Sequence, residues 1–329
     1  MASHFVDWLW RTIVAQCDRT ASFLRRLLDS LRPTTVAKSV PPPHICPRTL
    51  KYRRTPGPWR RNLLPTLPDQ AFVIPATIPY GEIYFRTKGN YVGQGATSFV
   101  DRLPSGDIIK YPKPNPYCPE KENTCRQQMR TEAEAYQRIG DNARVPRLIS
   151  WDASACSLII EYLENGNLQS YLDDHNETVT SEQRRLWMRH AAEALVAVHS
   201  ADIIHCDVTP RNFMLNEALE LHIADFAGSS VSGSPPTITT SARFQRPGWD
   251  WKPTQADDLF ALGSVLYYIQ TGHEPYPDIT EEEVHDRFSA ENFPEVSMLR
   301  CGSIIRRCWA GSWDDAQQII DALAITEGS

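Results

Sequence analysis

Residues 205–228 read HCDVTPRNFMLNEALELHIADFAG, and this stretch sets two carboxylates and an amide at fixed spacing. Asp207 is followed five residues later by Asn212, and Asp225 comes after a further segment. That segment has the pattern of a short hairpin, FMLN and LHIA joined by EALE. Folding it tightly brings Asn212 and Asp225 to the mouth of one cleft. Oxygen ligands of this kind suit Mg²⁺, a hard cation that keeps some waters and takes its remaining ligands from phosphates. Asp207 is left to accept a proton from an attacking hydroxyl. A lone H-x-D is usually a solvated loop, but the whole set in order is not explained that way.

The rest of the chain bounds the possibilities. With 329 residues, 41% of them hydrophobic and 22% charged, it has room for one large domain or two smaller ones. A net charge of −6 argues against a nucleic-acid partner. The eight cysteines form no C-x-x-C pair, and the wide spacings 118/125 and 301/308 do not fit a zinc site. Reduced thiols in the cytoplasm or nucleus are the simplest account.

Residues 1–32 carry apolar positions such as Trp8, Leu9, Phe23, Leu24 and Leu28 at helical spacing. Charges such as Arg11, Asp18 and Arg19 interrupt them, so no run reaches transmembrane length, and the acids do not suit a signal or transit peptide. The expectation is an accessory helix that docks a partner or lies on a membrane surface. Residues 33–79 hold 11 of the 25 prolines, and residues 44–61 hold six Lys or Arg and no acid. This composition predicts a basic, disordered linker, with the folded domain spanning residues 80–325.

Within that domain, residues 92–100 read VGQGATSFV between the strand-like runs EIYF and FVDRL. Gly93 and Gly95 allow a tight turn whose backbone can approach phosphates. Ile108, Ile109 and Lys110 then form a buried strand ending in a cation. A helix from about residue 120 to 139, closed by Gly140, presents Glu132 on the face of Tyr136 and Ile139, whereas Glu134 lies on another face. SLIIE, residues 157–161, is a further buried strand. Thr180-Ser-Glu-Gln is a capping box that opens a helix reaching residue 199.

Taken in order, these motifs resemble those of the protein kinases over residues 80–323. H-C-D-V-T-P-R-N and D-F-A are similar to the catalytic and Mg²⁺ loops HRDLxxxN and DFG. G-Q-G-A-T-S is similar to the Gly-rich loop, and I-I-K to the V-A-I-K strand. D-D-L-F-A-L-G-S-V-L-Y-Y, then T-G-H-E-P-Y, resembles the αF helix, which aminoglycoside and choline kinases lack although they share H-x-D-x-x-x-x-N. The nearest resemblance is to the divergent kinase-like proteins of filamentous fungi.

The resemblance implies a two-lobed α+β fold and an ATP- and Mg²⁺-dependent kinase acting on protein hydroxyls, Ser or Thr, of an unspecified substrate protein. It implies that Lys110, fixed by Glu132, binds phosphates, that Asn212 and Asp225 hold Mg²⁺, and that Asp207 deprotonates the acceptor. Gly93, Gly95, Val100, Met214 and the hinge residues Glu161 and Leu163 would contact the nucleotide, with Ile160 as gatekeeper. His205 would be a packed core histidine, and Asp258 would brace the catalytic loop's backbone.

The chain departs from that pattern at several positions, and of these Ser98, Ile108 and Ala227 count toward the rival reading, a docking pseudokinase. Ser98 replaces the third loop glycine, and Ile108 takes the small-residue position over the adenine. Cys206 replaces the HRD arginine, Thr209 the lysine common in Ser/Thr kinases, and Ala227 the glycine of DFG. A-R-F-Q-R-P-G stands where A-P-E is expected, and the C-lobe arginine that pairs with its Glu is missing from W-A-G-S-W-D-D.

Overall fold

A computed structural model describes residue 47 and residues 49–326. The helix expected over residues 1–32 and most of the first part of the expected linker lie outside the described residues.

The linker expectation fails over its second part. Strand β1 (Lys51–Thr55) runs parallel to β2 (Glu82–Arg86), with Tyr52 opposite Ile83. Helix α1 (Pro58–Leu63) and a 3₁₀ turn (Asp69–Phe72) lie between them. The basic residues find partners instead of solvent alone: Arg53 pairs with Glu82 at 3.2 Å, and Arg54 stacks on Tyr91. Tyr52 packs edge-on against Phe99, with ring centroids 5.4 Å apart. A composition averaged over 47 residues hid a five-residue strand with one aromatic facing a core.

β3 (Asn90–Gln94), β4 (Ser98–Arg102), β5 (Ile108–Pro112), β6 (Leu148–Asp152) and β7 (Ser157–Ile160) form an antiparallel sheet in the order β3-β4-β5-β7-β6. The glycine turn therefore joins β3 to β4, and EIYF belongs to the separate β1–β2 pair. Side chains alternate across a strand, and β5 shows what this achieves. Ile109 and Tyr111 pack with Phe85 and Phe99 in a small core beneath β1 and β2. Ile108 and Lys110 face the other way, toward α2 (Pro119–Ile139) and the cleft. Asp101 is buried and accepts from the Tyr111 hydroxyl (2.8 Å) and the Lys88 amide (2.7 Å), tying the β2–β3 turn to the sheet.

The second lobe is helical. After α3 (Leu168–His175), helix α4 (Ser181–Ser200) starts where the Thr180 hydroxyl accepts from the Gln183 amide. Trp187, Ala191, Ala194, Leu195 and Val198 are buried along it, as its helical spacing requires. β8 (Ile203–Ile204), the hairpin β9 (Phe213–Leu215) and β10 (Leu221–Ile223), and β11 (Ser230–Val231) lie over its end. Helix α5 (Gln255–Thr271) opens with a Thr254–Asp257 capping box, and every side chain from Asp258 to Ile269 is buried. It is the axis on which this lobe packs, apolar nearly all round. α6 (Glu281–Ser289), α7 (Gly302–Trp309) and α8 (Ala316–Ile325) complete it. Among the described residues no helix is long and apolar enough to cross a membrane.

Candidate active site

The hairpin positions the chemistry. Phe213 pairs with Ile223 in the β9–β10 ladder, and the Ala224 amide donates to the Asn212 carbonyl at 2.9 Å. Asn212 and Asp225 therefore stand at the same open end. The Asn212 side-chain amide donates to both the carbonyl and the carboxylate of Asp207, each at 2.8 Å. Its Oδ1 accepts no hydrogen bond among the described residues. This orientation leaves a neutral oxygen and the Asp225 carboxylate for a hard cation, a donor set that fits Mg²⁺.

The loop before the hairpin is held by α5. Asp258 accepts from the His205 amide (2.7 Å), the Cys206 amide (3.0 Å) and His199 Nε2 (2.9 Å). Cys206 sits at φ 66° and Asp225 at φ 69°, left-handed conformations that cost a non-glycine residue about 1 kcal/mol each. The Asp258 bonds offset that cost at Cys206. His205 is fully buried. Its Nε2–H donates to the Ala224 carbonyl (3.1 Å) and its Nδ1 accepts from the Asp207 amide (3.2 Å), linking the two acidic loops.

Lys110 joins the lobes. Its ammonium lies 2.7–2.8 Å from both Glu132 oxygens and 2.7 Å from Asp225. Burial alone would depress the lysine's pKa. The two carboxylates, Asp225 before Glu132, reverse that and hold it well above its ordinary value. Lys110 in turn holds Asp225 below the usual carboxylate range against the effect of burial. Burial pushes Glu132 up to about 7 against the pull of the same lysine. Glu134 instead faces solvent and pairs with Arg138.

Around these charges lies a cleft of about 430 Å³, well inside the range of small-ligand sites. Gly93, Gly95, Val100, Glu161, Leu163 and Met214 line it, together with Lys110, Glu132, Asn212 and Asp225. A Cβ placed on Gly93 would meet nothing within 4 Å, so the backbone there faces open space. Ser98 also lines the cleft; it is buried, and its carbonyl accepts from the Gly95 amide at 3.0 Å. After β7 the Glu161 amide is bonded to the Arg147 carbonyl (3.0 Å). The Leu163 amide has no partner among the described residues. Asp207 is half-buried just outside the cleft lining and joined to it through Asn212.

Other features were not read from the sequence. Arg243, nearly buried, donates to the carbonyls of Tyr276 (3.0 Å) and Ile279 (2.6 Å) and pairs with Glu281 and Glu274. The segment without A-P-E is thus anchored by a cation of its own, against carboxylates of the helical lobe. Gln128 on α2 donates to the Thr237 hydroxyl (2.9 Å), and Arg138 to the Ser232 hydroxyl (2.7 Å). Arg211, which also lines the cleft, lies between Asp207 and Asn212 in the sequence.

Comparison with known proteins agrees with this architecture. Residues 88–323 match the protein kinase domain. A putative mitogen-activated protein kinase kinase kinase 7-like protein of Drosophila melanogaster is 33% identical over 126 residues, 36% of this chain and 32% of that protein. Aurora kinase A-A of Xenopus laevis is 29% identical over 178 residues, 50% of this chain and 42% of the relative, and Aurora kinase A-B is similar to the same extent. The match thus spans less than half the length of each of these relatives. The kinase-domain match covers most of the chain, in the same lobes that hold the Lys110–Glu132 pair and the Asp207–Asn212–Asp225 loops, and the chain belongs to the protein kinase family.

Proposed function

We propose that this protein transfers the γ-phosphoryl group of ATP, with Mg²⁺, to a serine or threonine hydroxyl of a protein substrate. The observation that carries the reading is the Lys110 ammonium shared between Glu132 and Asp225, with Asp207 and Asn212 hydrogen-bonded at the same cleft. Asn212 and Asp225 would hold the metal, which neutralises charge on the phosphates when bound. Lys110 positions the inner phosphates, and Glu132 keeps its ammonium in place. Asp207 orients the acceptor hydroxyl and takes its proton. The Glu161 carbonyl and Leu163 amide offer hydrogen bonds to the base, and Gly93 and Gly95 let the backbone close over the phosphates. Phosphoryl transfer asks mainly for positioning and charge neutralisation, and these groups supply both.

A docking pseudokinase gains little from the departures. Ile108 and Ser98 both line the cleft, yet it keeps nucleotide-sized room. Among the described residues Cys118, Cys125, Cys156, Cys206 and Cys308 are free thiols, which supports a reducing compartment, cytoplasm or nucleus.

The test is transfer from labelled ATP to generic Ser/Thr substrates, followed by phosphoamino-acid analysis. Asp207→Asn should abolish transfer while nucleotide affinity stays near wild type, and Asp225→Asn should weaken Mg·ATP binding itself. Equal transfer by wild type and Asp207→Asn would sink the assignment.

A further inference from the structure

Six charged side chains line the cleft: Lys110, Glu132, Glu161, Glu164, Arg211 and Asp225. Two are cations, and they are in opposite situations. Lys110 is buried and held by two carboxylates. Arg211 is exposed, and its guanidinium has neither an ion pair nor a hydrogen bond among the described residues. In a chain of net charge −6, it is the one cleft-lining cation left without a counter-charge.

Its place is fixed by its neighbours. Arg211 is the middle residue of a 3₁₀ turn, Pro210–Asn212, and the proline ring restricts the backbone just before it. The next residue, Asn212, reaches back to the Asp207 carboxylate at 2.8 Å. The guanidinium is thus carried by the turn that connects the proposed proton acceptor to the proposed metal ligand. Thr209 is buried and puts no charge on the inner side of the loop. The loop's one positive charge is exposed at the mouth, while the deep phosphate position already has Lys110. A planar, permanently charged fork in that position suits bidentate pairing with a carboxylate.

We propose that Arg211 selects acceptor proteins by an Asp or Glu near the accepting hydroxyl, within about three residues, or roughly 10 Å of extended chain. This rests on the protein kinase reading above and adds its substrate class. A free guanidinium at the mouth attracts an acidic acceptor and repels a basic one, so it acts on substrate choice, as a charge complement does at other interfaces.

Matched Ser/Thr peptides carrying Asp/Glu, Ala or Lys/Arg beside the acceptor test this. Wild type should show kcat/KM for the acidic peptide about tenfold above the neutral one. Arg211→Ala should remove most of that ratio, Arg211→Lys should retain part of it, and Arg211→Glu should turn the order toward the basic peptide. An order unchanged between wild type and Arg211→Glu overturns the proposal. So does a loss confined to kcat and equal for acidic and neutral peptides, which would place the guanidinium on the phosphoryl group. Fluorescence anisotropy of a labelled acidic peptide, with Mg²⁺ and a non-hydrolysable ATP analogue, gives a readout independent of turnover. Weaker binding to Arg211→Glu without transfer to any peptide would keep the acid recognition and remove the kinase reading. Equal binding to both would remove the recognition.

Discussion

Arg243 shows how much one side chain settles in this molecule. It spends its guanidinium on two carbonyls and the Glu274 carboxylate of the segment between α5 and α6 and on Glu281 at the start of α6, and so fixes the chain that follows Asp225. Hydrogen bonds from a charged donor are worth about 1.5–3 kcal/mol each, and the Glu281 pair adds less because that carboxylate is half exposed. We expect Arg243→Ala to lower unfolding free energy by about 3 kcal/mol, read by urea titration, with Arg243→Lys intermediate. A change within the error of the titration would mean that the segment is held elsewhere. The sequence shows Arg243 as one of two arginines in A-R-F-Q-R-P-G, but its partners lie more than 30 residues away. Nothing local announces them. The segment that lacks the A-P-E glutamate and its C-lobe arginine thus has an anchor of its own. Lys110, Asn212 and Asp225 were legible for the opposite reason: each sits in a short motif whose residue types answer to one chemical demand, and Glu132 was legible from its helix face.

At the scale of elements, helix α2 and the segment after Asp225 are joined without phosphate. Gln128 donates to Thr237, Arg138 to Ser232, and Ser232 to Asp202 (2.6 Å). The segment folds back on itself, with the Thr237 amide bonded to the Gly228 carbonyl (3.1 Å). A Cβ on Gly228 would fall 2.2 Å from the Ile238 side chain, so the close approach requires glycine. On the catalytic loop, burial first and then Asp258 raise the Cys206 thiol far above its ordinary value, so it stays neutral and cannot draw in a phosphate. Activity should therefore not depend on activation-segment phosphorylation. Phosphatase treatment, or Ala at Thr237, Thr239 and Thr240 together, should change kcat less than tenfold, about 1.4 kcal/mol of barrier. A larger fall would show that another cation performs the arginine's task. The neutral residue at position 206 was legible from its motif. The tethers were not, because hydroxyls and amides on separate elements leave no pattern along the chain.

For the whole molecule, the lesson concerns where the folded body begins. β1 shields one face of the five-stranded sheet, where Phe85 stacks on Phe99 at 4.0 Å and Tyr52 closes over them. A chain starting at residue 80 would leave those rings to water, whereas one starting at residue 47 keeps the cover. The shorter chain should be less stable by roughly 2 kcal/mol, the worth of one partly buried aromatic and its ring contacts. It should also bind more of a hydrophobic dye. Equal stability would make β1 a passenger. The two lobes themselves could be read from the order of the motifs, whereas β1 could not, since a strand between prolines and arginines has no composition of its own.

The alternation along β5 has one more consequence. Tyr111, under the aromatic cover, and Lys110, in the cleft, are adjacent residues on opposite faces of one strand. In mechanical terms β5 is a beam loaded from both sides. The ring contacts from Tyr52 through Phe99 to Tyr111 join Lys51–Thr55 to the strand that carries Lys110 without crossing a hinge.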